Sequence, residues 1–304
     1  MDGLNSIFAS WQFLAVACTL IWAACSVVDR FFVSAKARNS GVMLVYTGIA
    51  NVFVVAVFAL FFGLVVPTLP ILAVLLASGA FWAFAAALYY ATLKRQDVSS
   101  AMPVLKLDTI FLAILAFVFL GESFGLLTYA GIAMVVAGAI LVSLKKSGLG
   151  RFTFDKAFWL AVGSALLFAV SELLLKAGVG GAVPVQAFLW QRIGSIAVYL
   201  VLGVFHAREF TAGLSRHRKA SAVLLFSSTV SVLAGLLLAM AFVAFYATLV
   251  NTVTAVRPLL IVVFTLLLAR FKPSILKENF DKRTLVLKAA AAVLVVVGSW
   301  LVMG

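Results

Sequence analysis

Six ionisable residues, Lys106, Asp108, Glu172, Lys176, Arg192 and Arg257, stand inside long apolar stretches of this chain. A charge at bilayer depth is costly, and it is retained where it pairs with another or handles a polar solute or ion. Arg192 and Arg257 each lie about eight residues into an apolar stretch, roughly 12 Å by the helical rise, which is near a midplane. Lys106 and Asp108 are two apart, so on a helix they point to different sides and cannot pair with each other. Each then needs a partner from another helix, or a ligand. Glu172 and Lys176 are four apart, in the order that favours a local pair. Asp29 and Arg30 fall near the end of the first stretch, where they can snorkel to the interface, and are set aside.

Other side chains complete the candidate site. Pro103 and Pro258 each remove a backbone donor and kink or break the helix that holds them, leaving carbonyls for water or solute. Their matched positions point to gating. Trp82, Ala86 and Tyr89 share one helical face, flanked by small alanines that allow close packing. Ser227, Ser228, Thr229 and Ser231 sit mid-stretch and either line a wet cavity or bond back to the preceding turn. Asn51 reads as interhelical glue, and Glu122 after Gly121 as a cap or loop closure. The substrate-binding candidates are thus Trp82, Tyr89, Lys106, Asp108, Glu172, Ser228 and Arg257, with Pro103 and Pro258 as gates. No catalytic cluster, zinc spacing, phosphate-cradling glycine loop or ATP motif is expected, so neither enzyme chemistry nor a metal or cofactor is assigned.

These residues must be held by membrane helices. With 304 residues, 65% hydrophobic and 11% charged, the chain is too apolar for a soluble domain. Its mean hydropathy is +1.21. The net charge of +13 does not point to nucleic acid, because the basic residues lie in short loops between apolar segments. Cys18 and Cys25 share a face of one helix and cannot bridge. The first apolar segment is too long, and lacks the basic start, for a cleavable signal.

A span needs about 20 apolar residues. Windows of that kind run from Trp11 to Val33, Gly41 to Val66, Leu69 to Leu93, Val98 to Leu120 and Phe124 to Leu144. After a polar linker come Ala157 to Gly178, Val185 to His206, Ala220 to Phe245, Thr248 to Arg270 and Leu285 to Met303. The fold expected is all-α, with ten transmembrane helices.

The chain also repeats itself. Tyr90-Ala91-Thr92-Leu93 precedes Pro103 as Tyr246-Ala247-Thr248-Leu249 precedes Pro258, and Val135-Val136-Ala137-Gly138 echoes Val295-Val296-Val297-Gly298. Leu14-Ala15-Val16, Trp22-Ala23 and Arg30 match Leu160-Ala161-Val162, Phe168-Ala169 and Lys176 at one offset. Residues 1–147 and 156–304 form two five-span repeats, and an odd number of spans inverts the second relative to the first. Every loop Lys and Arg falls on alternate connections, which the positive-inside rule assigns to the cytoplasm. Both termini are then expected outside a multi-pass protein of the cell (inner) membrane.

The stretch Ala87-Leu88-Tyr89-Tyr90-Ala91-Thr92, followed by Ser99-Ser100-Ala101-Met102-Pro103 and Phe119-Leu120-Gly121-Glu122, resembles the EamA-type branch of the drug/metabolite transporter superfamily. The likeness covers nearly the whole chain. The second half departs from it at Ala269-Arg270-Phe271-Lys272, where a Leu-Gly-Glu is expected, and some members of the superfamily keep both termini in the cytoplasm. What the resemblance implies is a ten-helix carrier with a central cavity lined by spans one, three, four, six, eight and nine. Members move amino acids, sugars, nucleotide sugars, phosphorylated metabolites, amines or drugs.

The expected function is secondary transport of a small polar metabolite, namely an amino acid, organic anion or phosphorylated metabolite, by alternating access, as export or exchange. The alternative is a proton-coupled exporter of lipophilic cations or drugs. The partners are a small-molecule substrate and the lipid bilayer, with room for a homodimer and no nucleic acid.

Overall fold

The computed structural model describes residues 10–35, 40–95, 104–143, 156–216, 218–271 and 282–303. The first half holds α1 (Trp11–Ala35), α2 (Ser40–Phe62), α3 (Leu69–Leu93), α4 (Leu107–Leu120) and α5 (Leu126–Ser143). The second holds α6 (Lys156–Val179), α7 (Pro184–Val204), α8 (Ala207–Arg216), α9 (Arg218–Ala244), α10 (Ala247–Thr254), α11 (Arg257–Phe271) and α12 (Lys282–Met303). No strand occurs among the described residues.

Seven stretches are long and apolar enough to cross a membrane, α10 and the start of α11 counting as one. Three shorter apolar helices, Leu107–Leu120, Leu126–Gly138 and Val293–Val302, stand where the sequence predicts further spans.

Local chemistry sets the ends of these helices. Pro70 and Pro184 occupy the first turns of α3 and α7, where a missing N–H costs nothing. Gly121 ends α4 in the left-handed region (φ 67°), and the Glu122 N–H returns to the Ala116 carbonyl at 3.2 Å, closing the helix as a left-handed cap does.

The helices of one half pack mainly on those of the other. α3 lies on α6 and α7, while α9 lies on α1 and α2; α4 meets α6, as α10 and α11 meet α1; α2 pairs with α7, and α5 with α12. Each of these contacts has a counterpart when the halves are exchanged. Ser78 and Ser171 donate to each other's carbonyls at 2.7 and 2.8 Å. One turn or more along, Ser164 donates to the Ala85 carbonyl at 2.8 Å. Residue numbers rise on α3 as they fall on α6, so the two run antiparallel. At the α5–α12 crossing a Cβ on Gly131 would lie 2.9 Å from the Gly298 carbonyl oxygen, and one on Gly298 would lie 2.7 Å from that of Gly131. Without lateral hydrophobic drive in lipid, such close backbone approach is what holds helices together. The echoed Val135–Gly138 and Val295–Gly298 segments thus face each other.

Two features differ from the sequence expectation. The stretch expected as the ninth span is two helices, α10 and α11, interrupted at Ala255 and Val256, with Pro258 in the first turn of α11. The basic connection after α7 contains an amphipathic helix, α8, whose Phe210 packs edge-on against Tyr46 at 5.0 Å. A search for long apolar windows passes over so short and polar a helix. Cys18 and Cys25 are buried and free.

Candidate functional site

A cavity of about 110 Å³ lies between the two halves. One water needs roughly 10–15 Å³, so it has room for several waters or a small solute. From the first half come Trp22 and Asp29 on α1, Thr47 on α2, Trp82, Ala86, Tyr89 and Tyr90 on α3, and Leu105, Lys106 and Asp108 at the start of α4. From the second come Phe168 and Glu172 on α6, Arg192 and Tyr199 on α7, Ser228, Ser231 and Val232 on α9, Thr254 on α10 and Arg257 on α11. The face expected on α3, Trp82 with Ala86 and Tyr89, does turn to this cavity.

Aromatic rings build its walls. Trp22 and Trp82 have centroids 5.8 Å apart, and Phe168 meets Trp82 edge-on at 4.9 Å. Each tryptophan carries a guanidinium on its face: Arg257 lies 5.6 Å from the Trp22 centroid and Arg192 lies 5.0 Å from that of Trp82. A cation so placed is attracted by the ring quadrupole. The Trp22 indole is itself fixed by donating to the Ser231 carbonyl at 2.9 Å.

The two arginines are not equally engaged. Arg192 is sandwiched between Trp82 and Phe188, the latter at 5.2 Å, and donates from Nη2 to Gln191 at 2.6 Å. Its buried Nε has no partner among the described residues. Gly235 leaves it space, since a Cβ there would lie 3.2 Å from Nη2. Arg257 is half-buried at the start of α11 and sends both Nε and Nη2 to the single Ser26 Oγ, at 3.1 and 2.6 Å. A guanidinium fork fits two acceptor oxygens, as in a carboxylate or phosphate. A lone hydroxyl fills only part of it.

The acidic residues correct several expectations. Lys106 Nζ lies 3.3 Å from Asp108 Oδ2, so these two residues do pair. The helical argument against it fails because Lys106 is a turn residue capping α4 (φ −75°, ψ −1°), and its long side chain folds over the first turn. Glu172 and Lys176 do not pair. Glu172 accepts from Asn251 Nδ2 of α10, while Lys176 donates to the carbonyls of Phe242 and Phe245 at the end of α9. Asp29, set aside as a snorkelling residue, lines the cavity instead. The lining therefore holds three carboxylates (Asp29, Asp108, Glu172) and three cations (Lys106, Arg192, Arg257).

The seven residues expected to bind substrate, Trp82, Tyr89, Lys106, Asp108, Glu172, Ser228 and Arg257, all lie on this one cavity. Pro258 sits at the helix break beside Arg257, and Pro103 lies outside the described residues. The hydroxyls of α9 divide: Ser228 and Ser231 face the cavity, whereas Thr229 bonds back to the Leu225 carbonyl at 2.8 Å. Asn51 is not glue between helices, since its Nδ2 donates to the Thr47 carbonyl of its own helix at 2.7 Å. Trp22, Tyr90, Tyr199 and Thr254 were not in the expected set. Trp22 had a signal, its match to Phe168 in the second half; Tyr199 had none. The buried hydroxyls of Tyr89 and Tyr199 have no hydrogen-bond partner among the described residues.

At the opposite end from the basic connections the halves are bonded together. Glu122, 4% exposed, accepts from the Ala247 and Thr248 N–H groups at 2.7 and 3.0 Å, capping α10. The expected cap is present, on a helix of the other half. Trp11 stacks on Phe245 at 4.6 Å beside it. No group of three or more His, Cys, Asp or Glu residues suited to a metal ion occurs among the described residues.

The model of the EamA-like transporter family matches residues 9–144. The EamA-like half supplies the aromatic wall on α3, Asp29 and the Lys106–Asp108 pair. An uncharacterized transporter in the cobO 3' region of Sinorhizobium sp. is 36% identical over 69 residues, which is 23% of this chain and 46% of that protein. The match thus spans about half the length of that curated relative. A solved crystal structure superposes with a TM-score of 0.64 at 14% identity, over 96% of this chain and 94% of that one. At that identity the likeness is one of fold.

Proposed function

We propose that this protein is a secondary transporter that moves a small polar metabolite with an anionic group across the cell membrane by alternating access. Amino acids, organic anions and phosphorylated metabolites are the substrate classes, and export or exchange the direction. The observation that carries this reading is Arg257, a cavity cation at a helix break whose two-pronged donor set meets one serine hydroxyl. An incoming carboxylate or phosphate would replace that hydroxyl with two oxygens while Trp22 keeps the guanidinium in place. The positive end of α11 points the same way, as broken helices in carriers do.

Ten spans in a five-plus-five inverted repeat suit this mechanism. The reading is supported by the exchange of packing partners between halves, by the antiparallel crossings, and by the family match ending where the first repeat is expected to end. With the basic loops inside, both termini lie outside, and a cytoplasm-only reporter fused after Gly304 should stay dark. A bright fusion overturns that topology.

A thermal-shift screen against amino acids, sugar phosphates, organic acids and amines tests the function, because a ligand that binds the folded state raises its apparent stability. An anionic or zwitterionic compound should stabilise the wild type and lose most of that effect with Arg257→Gln. A second reading, proton-coupled export of lipophilic cations, is favoured by Asp29 and Glu172, cavity carboxylates with no ion-pair partner among the described residues. Stabilisation by amines alone, insensitive to Arg257→Gln, would select it.

A further inference from the structure

Beside the Arg257 subsite the cavity holds a second polar cluster that spans both halves. Asp108 receives Lys106 at 3.3 Å on Oδ2 and the Thr109 hydroxyl at 3.2 Å on Oδ1. Thr109 is also within 3.2 Å of Asn251 Oδ1, which takes the Thr254 hydroxyl at 2.9 Å, while Asn251 Nδ2 donates to Glu172. Asp108, Glu172 and Lys106 are 8%, 5% and 5% exposed. This cluster has two carboxylates and one ammonium. Arg192 and Arg257 do not redress the balance, since their donors go to Gln191 and Ser26 and their planes lie on tryptophan rings.

We propose that the Asp108–Lys106–Glu172 cluster is a proton-binding site, separate from the Arg257 subsite, and that its proton is the ion moved with or against the solute. The coupling role rests on the transport reading; the proton site itself does not. Fully ionised, the cluster would bury one uncompensated negative charge, and one proton shared between the carboxyls removes it. A metal ion suits the place less well. Both Asp108 oxygens and Asn251 Oδ1 already accept protein donors, the Lys106 ammonium fills the cationic position, and a hard cation requires a shell of oxygens. A proton needs a single lone pair, and Glu172 lines the cavity, so the proton can leave to water there.

The cluster also sits at the two helix breaks. Lys106 caps the broken start of α4, and Asn251 belongs to the short α10 that precedes the second break. The other titratable or charged groups around Glu172 are Cys18 and Asp29 on α1, Tyr89 and Tyr90 on α3, Arg192 and Tyr199 on α7 and Arg257 on α11. On its own helix, Lys176 is held by the α9 carbonyls. None of these hydrogen-bonds Glu172, which leaves Asn251 and the neighbouring Lys106–Asp108 pair to govern it.

Infrared difference spectra of the purified full-length protein, recorded between mildly acidic and mildly alkaline buffer, test this without knowledge of the solute. The wild type should show a protonated-carboxyl C=O band that shifts in deuterium oxide and disappears on alkalinisation. Glu172→Gln should lose it. Asp108→Asn should lose it too, because Lys106 then faces a single carboxylate, and this variant carries the test if Glu172→Gln does not fold. Asp29→Asn should keep the band. A wild type without the band, a band that survives both cluster variants, or one lost only with Asp29→Asn overturns the proposal. Any of those results leaves the transport reading standing on ligand stabilisation that depends on Arg257.

Discussion

Among the described residues a helix is interrupted before α4 and between α10 and α11, and each interruption places a cation at the start of the segment that follows. Lys106 caps α4 and Arg257 begins α11. A cation there opposes the partial positive charge of the helix N-terminus by about 0.3–1 kcal/mol. At α4 the opposition is relieved within the helix itself, because Asp108 lies in the first turn and binds the ammonium. At α11 the first turn has no acidic residue, and Arg257 turns to a neutral hydroxyl. One end is thus neutralised by a carboxylate, while the cation at the other meets a neutral hydroxyl. The two breaks need not share a role, and the presence or absence of an acidic residue in the first turn decides.

The largest expected effect tests the neutralised end. Lys106→Met leaves Asp108 buried without its cation, and breaking a buried pair from one side costs roughly 3–5 kcal/mol of folding stability. Denaturant titration should show that loss, with Asp108→Asn in the same chain restoring most of it. A single variant as stable as the wild type would remove the contrast between the two breaks.

Arg257→Gln probes the other end. Folding stability should change little, whereas binding of an anionic or zwitterionic ligand should weaken by about 1.5–3 kcal/mol, the scale of a hydrogen bond to a charged group. That is tenfold or more in affinity. Calorimetry with the ligand found in the stabilisation screen measures it. If Arg257→Gln unfolds the protein and Asp108→Asn rescues it, the arginine is structural after all.

Smaller changes are expected at the prolines. Pro258→Ala, alone or with Pro103→Ala, should alter stability by no more than about 1 kcal/mol while slowing solute uptake into proteoliposomes, since a mended helix resists switching. Normal rates from a well-folded double variant would assign the prolines to packing. Least of all, Tyr89→Phe should cost no stability, because the hydroxyl it deletes has no partner among the described residues. Ligand affinity should drop by about 0.5–1.5 kcal/mol; an unchanged affinity would place the solute away from α3.

Much of this was legible in the sequence because bilayer solvation is written in composition. Apolar windows located the long helices, and the spacing of Trp82, Ala86 and Tyr89 identified a cavity face. Depth along a helix singled out Arg192 and Arg257. What failed were inferences that assumed an unbroken helix or a local partner. Lys106 pairs with Asp108 because the backbone turns there. Glu172 ignores Lys176, four residues on, because Asn251 reaches it from another helix. Asp29 was misjudged because distance along the chain from a helix end says nothing about whether the neighbouring helices leave a hollow beside it.

Glu122 ties the two halves together at one end. It lies in the EamA-like half, directly after the left-handed Gly121, yet its two oxygens hold the first N–H groups of α10 in the other half. A tilt of one half about that end would carry the root of α10 along with it, while the far ends, some fifteen or more Å away by the helical rise, sweep the widest arc. The helix breaks with their cations lie away from that end, so such a tilt would move them further than it moves the carboxylate.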